Sequence, residues 1–204
     1  MRQGDGAVVA VAGLCVGLHM VFAALAAVPG WQTAGLWLRG YLAFYGGVLH
    51  GGDFLYPGQR LGMLLTHGWV HVGWLHLGVN MAMLLPLGAM VVRRVGVWRF
   101  LGLYLVVMAA AAVAYGMATG ADGRMVGASG AIHGLAGAVV AWAVQDRRWG
   151  RAGVLLAALA AANAWFWWLT GGSFAWELHL AGLALGAALA PFVAKGAAPA
   201  PSGG

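Results

Sequence analysis

The chain has 204 residues, of which 62% are hydrophobic and 8% charged, where an ordinary soluble domain carries roughly 25% charged residues. A water-soluble globule of this length has too little interior to absorb so much Ala, Leu, Val and Trp, so the composition excludes a soluble fold and makes lipid the solvent. The net charge of +6 does not indicate nucleic acid, because the eleven Lys and Arg residues stand singly or in pairs among apolar runs and form no stripe that tracks phosphates. The single cysteine, Cys15, lies inside an apolar run, so neither a disulfide framework nor a Cys-based metal site is available.

A helix needs about 20 apolar residues to cross a hydrocarbon core of roughly 30 Å. Six stretches qualify, at 7–28, 74–92, 100–119, 125–144, 152–170 and 174–194. They predict an all-α, polytopic six-span bundle forming one domain over 1–195. The remainder, 196–204, is rich in Ala, Pro and Gly and reads as a disordered tail. No small-residue cleavage pattern ends the first run, which therefore reads as a span and not as a removed signal. With six spans, Arg2, Arg93, Arg94, Arg99, Arg147, Arg148, Arg151 and Lys195 fall on one side and Arg39, Arg60 and Arg124 on the other. The positive-inside rule then puts both termini in the cytoplasm. The connection 29–73 faces outward and carries Trp31, Trp37, Tyr41, Phe44, Tyr45, Phe54 and Tyr56. Aromatics of this kind favour the membrane interface, in a structured half-immersed flap or in an ordinary external loop with anchors.

Polar side chains at membrane depth are costly, and here they are few and clustered. The second span opens with His71, His76 and Asn80, the fourth with Gly127, Ser129 and Gly130 followed by His133, and the sixth with Glu177 and His179. Spans two, four and six enter from the same side, so these residues fall at similar depth and converge in one cavity just below the outer surface. His19 in span one and Asn163 in span five stand alone, and each reads as a polar side chain bonded to a neighbouring helix. His179, Gly182 and Gly186 share one helical face, and Gly127 and Gly130 flank the serine. Small residues of this kind let helix backbones approach closely in lipid.

A serine hydroxyl is a weak nucleophile until a base takes its proton, and a histidine suits that role at neutral pH. His76 and Asn80, four residues apart, share a face and can donate toward an oxyanion. Glu177, two residues from His179, points elsewhere on a helix, so no carboxylate completes a triad. His133 leans back over residue 129 from one turn further on. It is either a rival local base or a ring stacked beneath His179.

The pattern His71-x4-His76-x3-Asn80, then Gly127-x-Ser129-Gly130, then His179-x2-Gly182-x3-Gly186, each opening an alternate span, resembles the rhomboid intramembrane serine proteases. The resemblance implies Ser129 as nucleophile, His179 as general base, and an oxyanion site of His76, Asn80 and the Ser129 amide. It implies single-span membrane proteins as substrates, cut near or within an unwound span. It also implies a multi-pass protein of the bacterial inner membrane with the outer connection as flap and the aromatic run 165–168 as gate. Three features depart from the pattern. Gly62 and Met63 stand where bacterial members often carry Trp-Arg, with Arg60 nearby, and Val92 stands in place of an acidic residue. His133 replaces a frequent aromatic, and a histidine there resembles the rhombosortase branch, whose substrates bear a C-terminal Gly-Gly sorting segment. The alternatives are a catalytically silent rhomboid-like protein that binds membrane clients, and a small transporter with a histidine proton relay, which the lack of an internal repeat disfavours. No cofactor motif is present, and no metal is expected, since the histidines sit on different helices without Cys and with few carboxylates.

Overall fold

In the computed structural model, which describes residues 4–172 and 175–194, the apolar runs are helices. In hydrocarbon a helix satisfies its own backbone N–H and C=O groups, which is why these runs take that form. Helix α1 (Asp5–Ala27) is followed by α2 (Gln32–Leu42), strand β1 (Phe44–Tyr45), α3 (Gly46–Leu49), α4 (Gln59–Thr66) and a 3-10 turn at His67–Trp69. Then come α5 (Trp74–Val95), α6 (Val97–Thr119), β2 (Arg124–Met125), α7 (Ser129–Gln145), α8 (Trp149–Leu169) and α9 (Trp176–Val193). The expected tail 196–204, with Arg2 and Lys195, lies outside the described residues.

The architecture is an all-α polytopic bundle. Helices α1, α5, α6, α8 and α9 are long and apolar enough to cross a membrane. The remaining apolar helix, α7, has 17 residues and is the innermost, buried without a break from Gly130 to Ala138. Large apolar side chains stand around the perimeter, Val154 at 72% and Phe192 at 82% exposure. Such a belt is a liability in water and is solvated in lipid.

The fourth apolar run becomes helical later than its hydropathy suggests, at Ser129 and not at 125. Met125 and Arg124 pair antiparallel with Phe44 and Tyr45, and Gly127 takes φ +125°, a conformation closed to side chains with a Cβ. Helix α7 therefore starts at the serine itself.

The connection between α1 and α5 is folded and tied to that start. Besides the two-residue ladder, Gly46 N–H donates to the Gly123 carbonyl at 2.6 Å and Gly127 N–H to the His67 carbonyl at 2.9 Å. Thr66 Oγ1 donates to the Leu42 carbonyl at 2.8 Å. Arg60 Nε donates to the Val48 carbonyl at 3.2 Å, across the connection, while Met63 is fully buried. The basic residue near the departed Trp-Arg positions thus holds the loop by a backbone contact of its own.

Helices α7 and α9 make the closest approach in the bundle. The Gly130 and Gly134 carbonyls occupy the space where a Cβ on residues 182 and 186 would sit, so both glycines are required by backbone contact. At the far end, Arg93 and Arg94 close α5 with two-pronged contacts to Asp5 and Asp146, the nearest at 3.0 and 2.8 Å. The hydrogen bonds from Arg94 hold the Asp146 carboxyl below its ordinary range. Exposed pairs of this kind contribute little stability and serve to align the helix ends.

Candidate active site

Helices α5, α7 and α9 begin at one end of the bundle, and their first turns bring Ser129 and His179 together. Ser129 Oγ lies 2.8 Å from His179 Nε2, hydrogen-bond distance across two helices. The close glycine contact of α7 with α9 makes this reach possible, since His179 and Gly182 lie one turn apart on the same face of α9. Leu178 fits against Gly130, where any side chain would displace it.

His133 lies flat against His179, with ring centroids 4.1 Å apart and an interplanar angle of 3°. Its Nδ1–H donates to the Ser129 main-chain carbonyl at 2.8 Å, so the ring addresses the serine backbone and not its hydroxyl. Its other nitrogen, Nε2, faces Asn163 Nδ2 at 3.1 Å. His179 Nδ1 faces the same residue, 2.7 Å from Asn163 Oδ1. Asn163, taken from the sequence as a lone polar residue bonded to a neighbouring helix, does bond across helices, and its partners are the two histidines beside the serine. A signal for this was present: α8 runs opposite to α7 and α9, so a residue six positions before its end at Leu169 sits at the depth where the others begin. His19, the other lone polar residue, is buried with its ring edge-on to Trp74 at 4.5 Å.

These groups line a cavity of about 980 Å³ that also takes in His76, Asn80 and Phe166. Its volume is that of a large ligand pocket. His76 is held by Gly127, whose missing Cβ leaves room for the imidazole. Asn80 is buried, and its Nδ2 donates one hydrogen to the His76 carbonyl at 2.8 Å. Among the described residues the second Nδ2 hydrogen meets no acceptor, and Asn80 Oδ1 and His76 Nδ1 have no hydrogen-bond partner. His71 is fully buried behind them and does not line the cavity; its ring meets that of His76 at 5.1 Å and 60°. Ser129 opens α7, so its amide belongs to the first turn, where N–H groups lack intrahelical acceptors and the helix dipole favours negative charge. Among the described residues no three or more His, Cys, Asp or Glu side chains are grouped to hold a metal ion.

A family model for the Rhomboid domain matches residues 58–196, which includes every residue of this cluster. The chain belongs to the rhomboid family. Most rhomboids are intramembrane serine proteases, and inactive rhomboid-like members also occur. The match begins at α4, so the rhomboid domain takes in the last part of the folded connection, all of α5 to α9, and none of α1. A comparison with curated proteins returns no match.

Proposed function

We propose that this rhomboid is an intramembrane serine endopeptidase that cuts the membrane-spanning segments of other proteins. The observation that carries the reading is the 2.8 Å contact between Ser129 Oγ and His179 Nε2 inside a cavity at the end of the bundle. In this reading Ser129 Oγ attacks the scissile carbonyl while its proton passes to His179 Nε2. The oxyanion that forms is met by the Ser129 amide, the free hydrogen of Asn80 Nδ2 and the His76 ring. The imidazolium then gives its proton to the leaving amine, and a water activated by the same nitrogen releases the acyl group. A substrate helix must unwind to present its carbonyl, because a helical carbonyl is already hydrogen-bonded.

The distribution of Lys and Arg supports a reading with both termini in the cytoplasm and the cavity facing outward, and the family resemblance favours a bacterial inner membrane. His133, stacked where the family often has another aromatic, favours the rhombosortase branch and hence substrates with a C-terminal Gly-Gly segment.

A fluorophosphonate probe tests whether the serine is activated. Covalent labelling of the purified protein is expected, and none of Ser129→Ala. A wild-type protein that neither takes the probe nor cuts a reporter overturns the proposal in favour of a catalytically silent rhomboid. The oxyanion assignment has its own measurement. Asn80→Ala is expected to lower kcat by about 10²–10³, the usual effect of one lost oxyanion donor, with little change in KM. A change confined to KM would instead place Asn80 in substrate binding.

A further inference from the structure

We infer that Asn163 on α8 is the third member of the catalytic unit, a positioning residue that fixes the tautomer and orientation of the His179 base. The inference rests on the protease reading and goes beyond it, since that reading gives Asn163 no role.

Hydrogen-bond chemistry fixes which way the Asn163 amide points. The two ends of an amide look alike in outline, so a network must assign them. Here two main-chain carbonyls do so from opposite ends. Asn163 Nδ2 lies 2.8 Å from the Leu159 carbonyl, which only accepts, so the nitrogen is on that side. Independently, His133 Nδ1 lies 2.8 Å from the Ser129 carbonyl, so His133 carries its proton on Nδ1 and presents a bare Nε2. That Nε2 accepts the second Nδ2 hydrogen of Asn163, at 3.1 Å. Both hydrogens of the amide are then used, and Asn163 Oδ1 is left facing His179 Nδ1 at 2.7 Å. An acceptor there requires Nδ1–H on His179 and puts the lone pair of the neutral imidazole on Nε2, 2.8 Å from Ser129 Oγ. The chain of donors runs from Ser129 hydroxyl to His179, from His179 to Asn163, from Asn163 to His133, and from His133 back to the Ser129 main chain.

An asparagine beside a catalytic histidine is harmful when its NH2 end faces the imidazole, because the proton is then forced onto the nitrogen that must be bare. Leu159 and His133 prevent that orientation here. Their role explains why a histidine at position 133 suits this chain: a phenyl or phenol ring would stack equally well on His179 but would offer no ring nitrogen to Asn163 Nδ2. The contact also links the base to the helix least held by the bundle, since Ala152 and Leu159 are its buried residues. A displacement of α8 away from α7 removes the acceptor from His179.

The test uses the full chain in proteoliposomes, with cleavage of a reporter span and the rate of fluorophosphonate labelling followed from about pH 5 to 9. Asn163→Ala is expected to lower kcat and the labelling rate by about 10-fold or more, with about 10⁴-fold, the cost of losing the residue that orients a triad histidine, as the upper bound, and with KM within about twofold. Asn163→Asp keeps an acceptor toward His179 Nδ1 but sets its second oxygen against the Leu159 carbonyl and His133 Nε2, which both accept, so it is expected to recover only part of the rate. Its carboxylate favours the imidazolium, so the acid limb of the labelling profile moves to higher pH. A purely structural bond between helices would lower the melting temperature while leaving kcat and the acid limb of folded protein unchanged, and that outcome overturns the inference. Should Asn163→Ala fail to fold, an unshifted acid limb in Asn163→Asp overturns it alone. Ser129→Ala run alongside separates the two claims. If that variant still cuts, the protease reading fails; if it is inert while the Asn163 variants behave as wild type, the positioning role fails.

Discussion

Ser129→Ala and His179→Phe are each expected to reduce cleavage of a tagged single-span reporter by about 10⁶-fold, the scale on which serine hydrolases respond to loss of nucleophile or base. The double variant is expected to be no worse than either single one, because nucleophile and base act as a unit. Both substitutions are chosen to spare the fold. Ser129 is half-buried at the cavity wall, so removing its oxygen opens no core. His179 is packed flat on His133 at 4.1 Å, and a phenyl ring preserves that stack while deleting Nε2. It leaves Asn163 Oδ1 without its hydrogen bond, a loss of about 1–3 kcal/mol for a buried acceptor, so melting temperatures should fall modestly while activity disappears. The measurement is fragment release on co-expression with tagged membrane proteins, read against melting temperature. Cleavage surviving in either single variant would remove the proposed chemistry. Loss of cleavage in His133→Phe with survival in His179→Phe would mean the base had been assigned to the wrong ring.

The convergence of Ser129 and His179 could be read from the sequence because it depends on parity. Alternate spans enter from one side, and a polar residue in the first turn of each lands at one depth. The place of His133 was legible for a similar reason, since a residue one turn on leans back over its predecessor. Which atom it reaches was not: the choice between the serine hydroxyl and the serine carbonyl depends on a ring rotation that the neighbouring Asn163 decides. Asn163 itself was hidden by direction. Its helix runs the other way, so its depth emerges from counting back from the end, and its two partners lie 30 and 16 residues away along the chain. The start of α7 was obscured because residues 125–128 are apolar enough to continue a span. What ends the helix there is the pairing of Phe44 with Met125, a contact made by a segment some eighty residues earlier. Hydropathy reports the solvent of a segment and is blind to a partner at that distance. The aromatic content of 29–73 signalled an interfacial location, whereas the hydrogen bonds of Thr66, Arg60 and Gly127 that fold it follow from tertiary proximity.

Gly186→Ala carries the largest expected structural effect of any single methyl group in the bundle. Helices in lipid gain no hydrophobic drive for association, because the tails solvate apolar faces as well as another helix does, so close van der Waals fit and backbone proximity must hold α7 to α9. At residue 186 the added Cβ would fall on the Gly134 carbonyl, and at residue 182 on the Gly130 carbonyl. Neither obstacle is the end of a flexible side chain; both are backbone within a continuous helix, so relief requires the helices to separate. Overpacking a core typically costs about 1–3 kcal/mol, and a collision with backbone belongs at the upper end of that range. Activity should fall further than stability. His179 lies on the face of α9 that carries Gly182 and Gly186, so parting the helices lengthens the 2.8 Å contact with Ser129, and a misplacement of about 1 Å can cost 10²-fold in rate. Gly153→Ala on α8 is the matched control: a Cβ there meets nothing within 4 Å, and alanine exceeds glycine in helix propensity by about 1 kcal/mol, so its melting temperature should hold or rise. The comparison is made by melting temperature and by fluorophosphonate labelling rate on the same preparations. If Gly186→Ala melts and labels as Gly153→Ala does, the close approach of the two backbones is not what brings the hydroxyl to the imidazole.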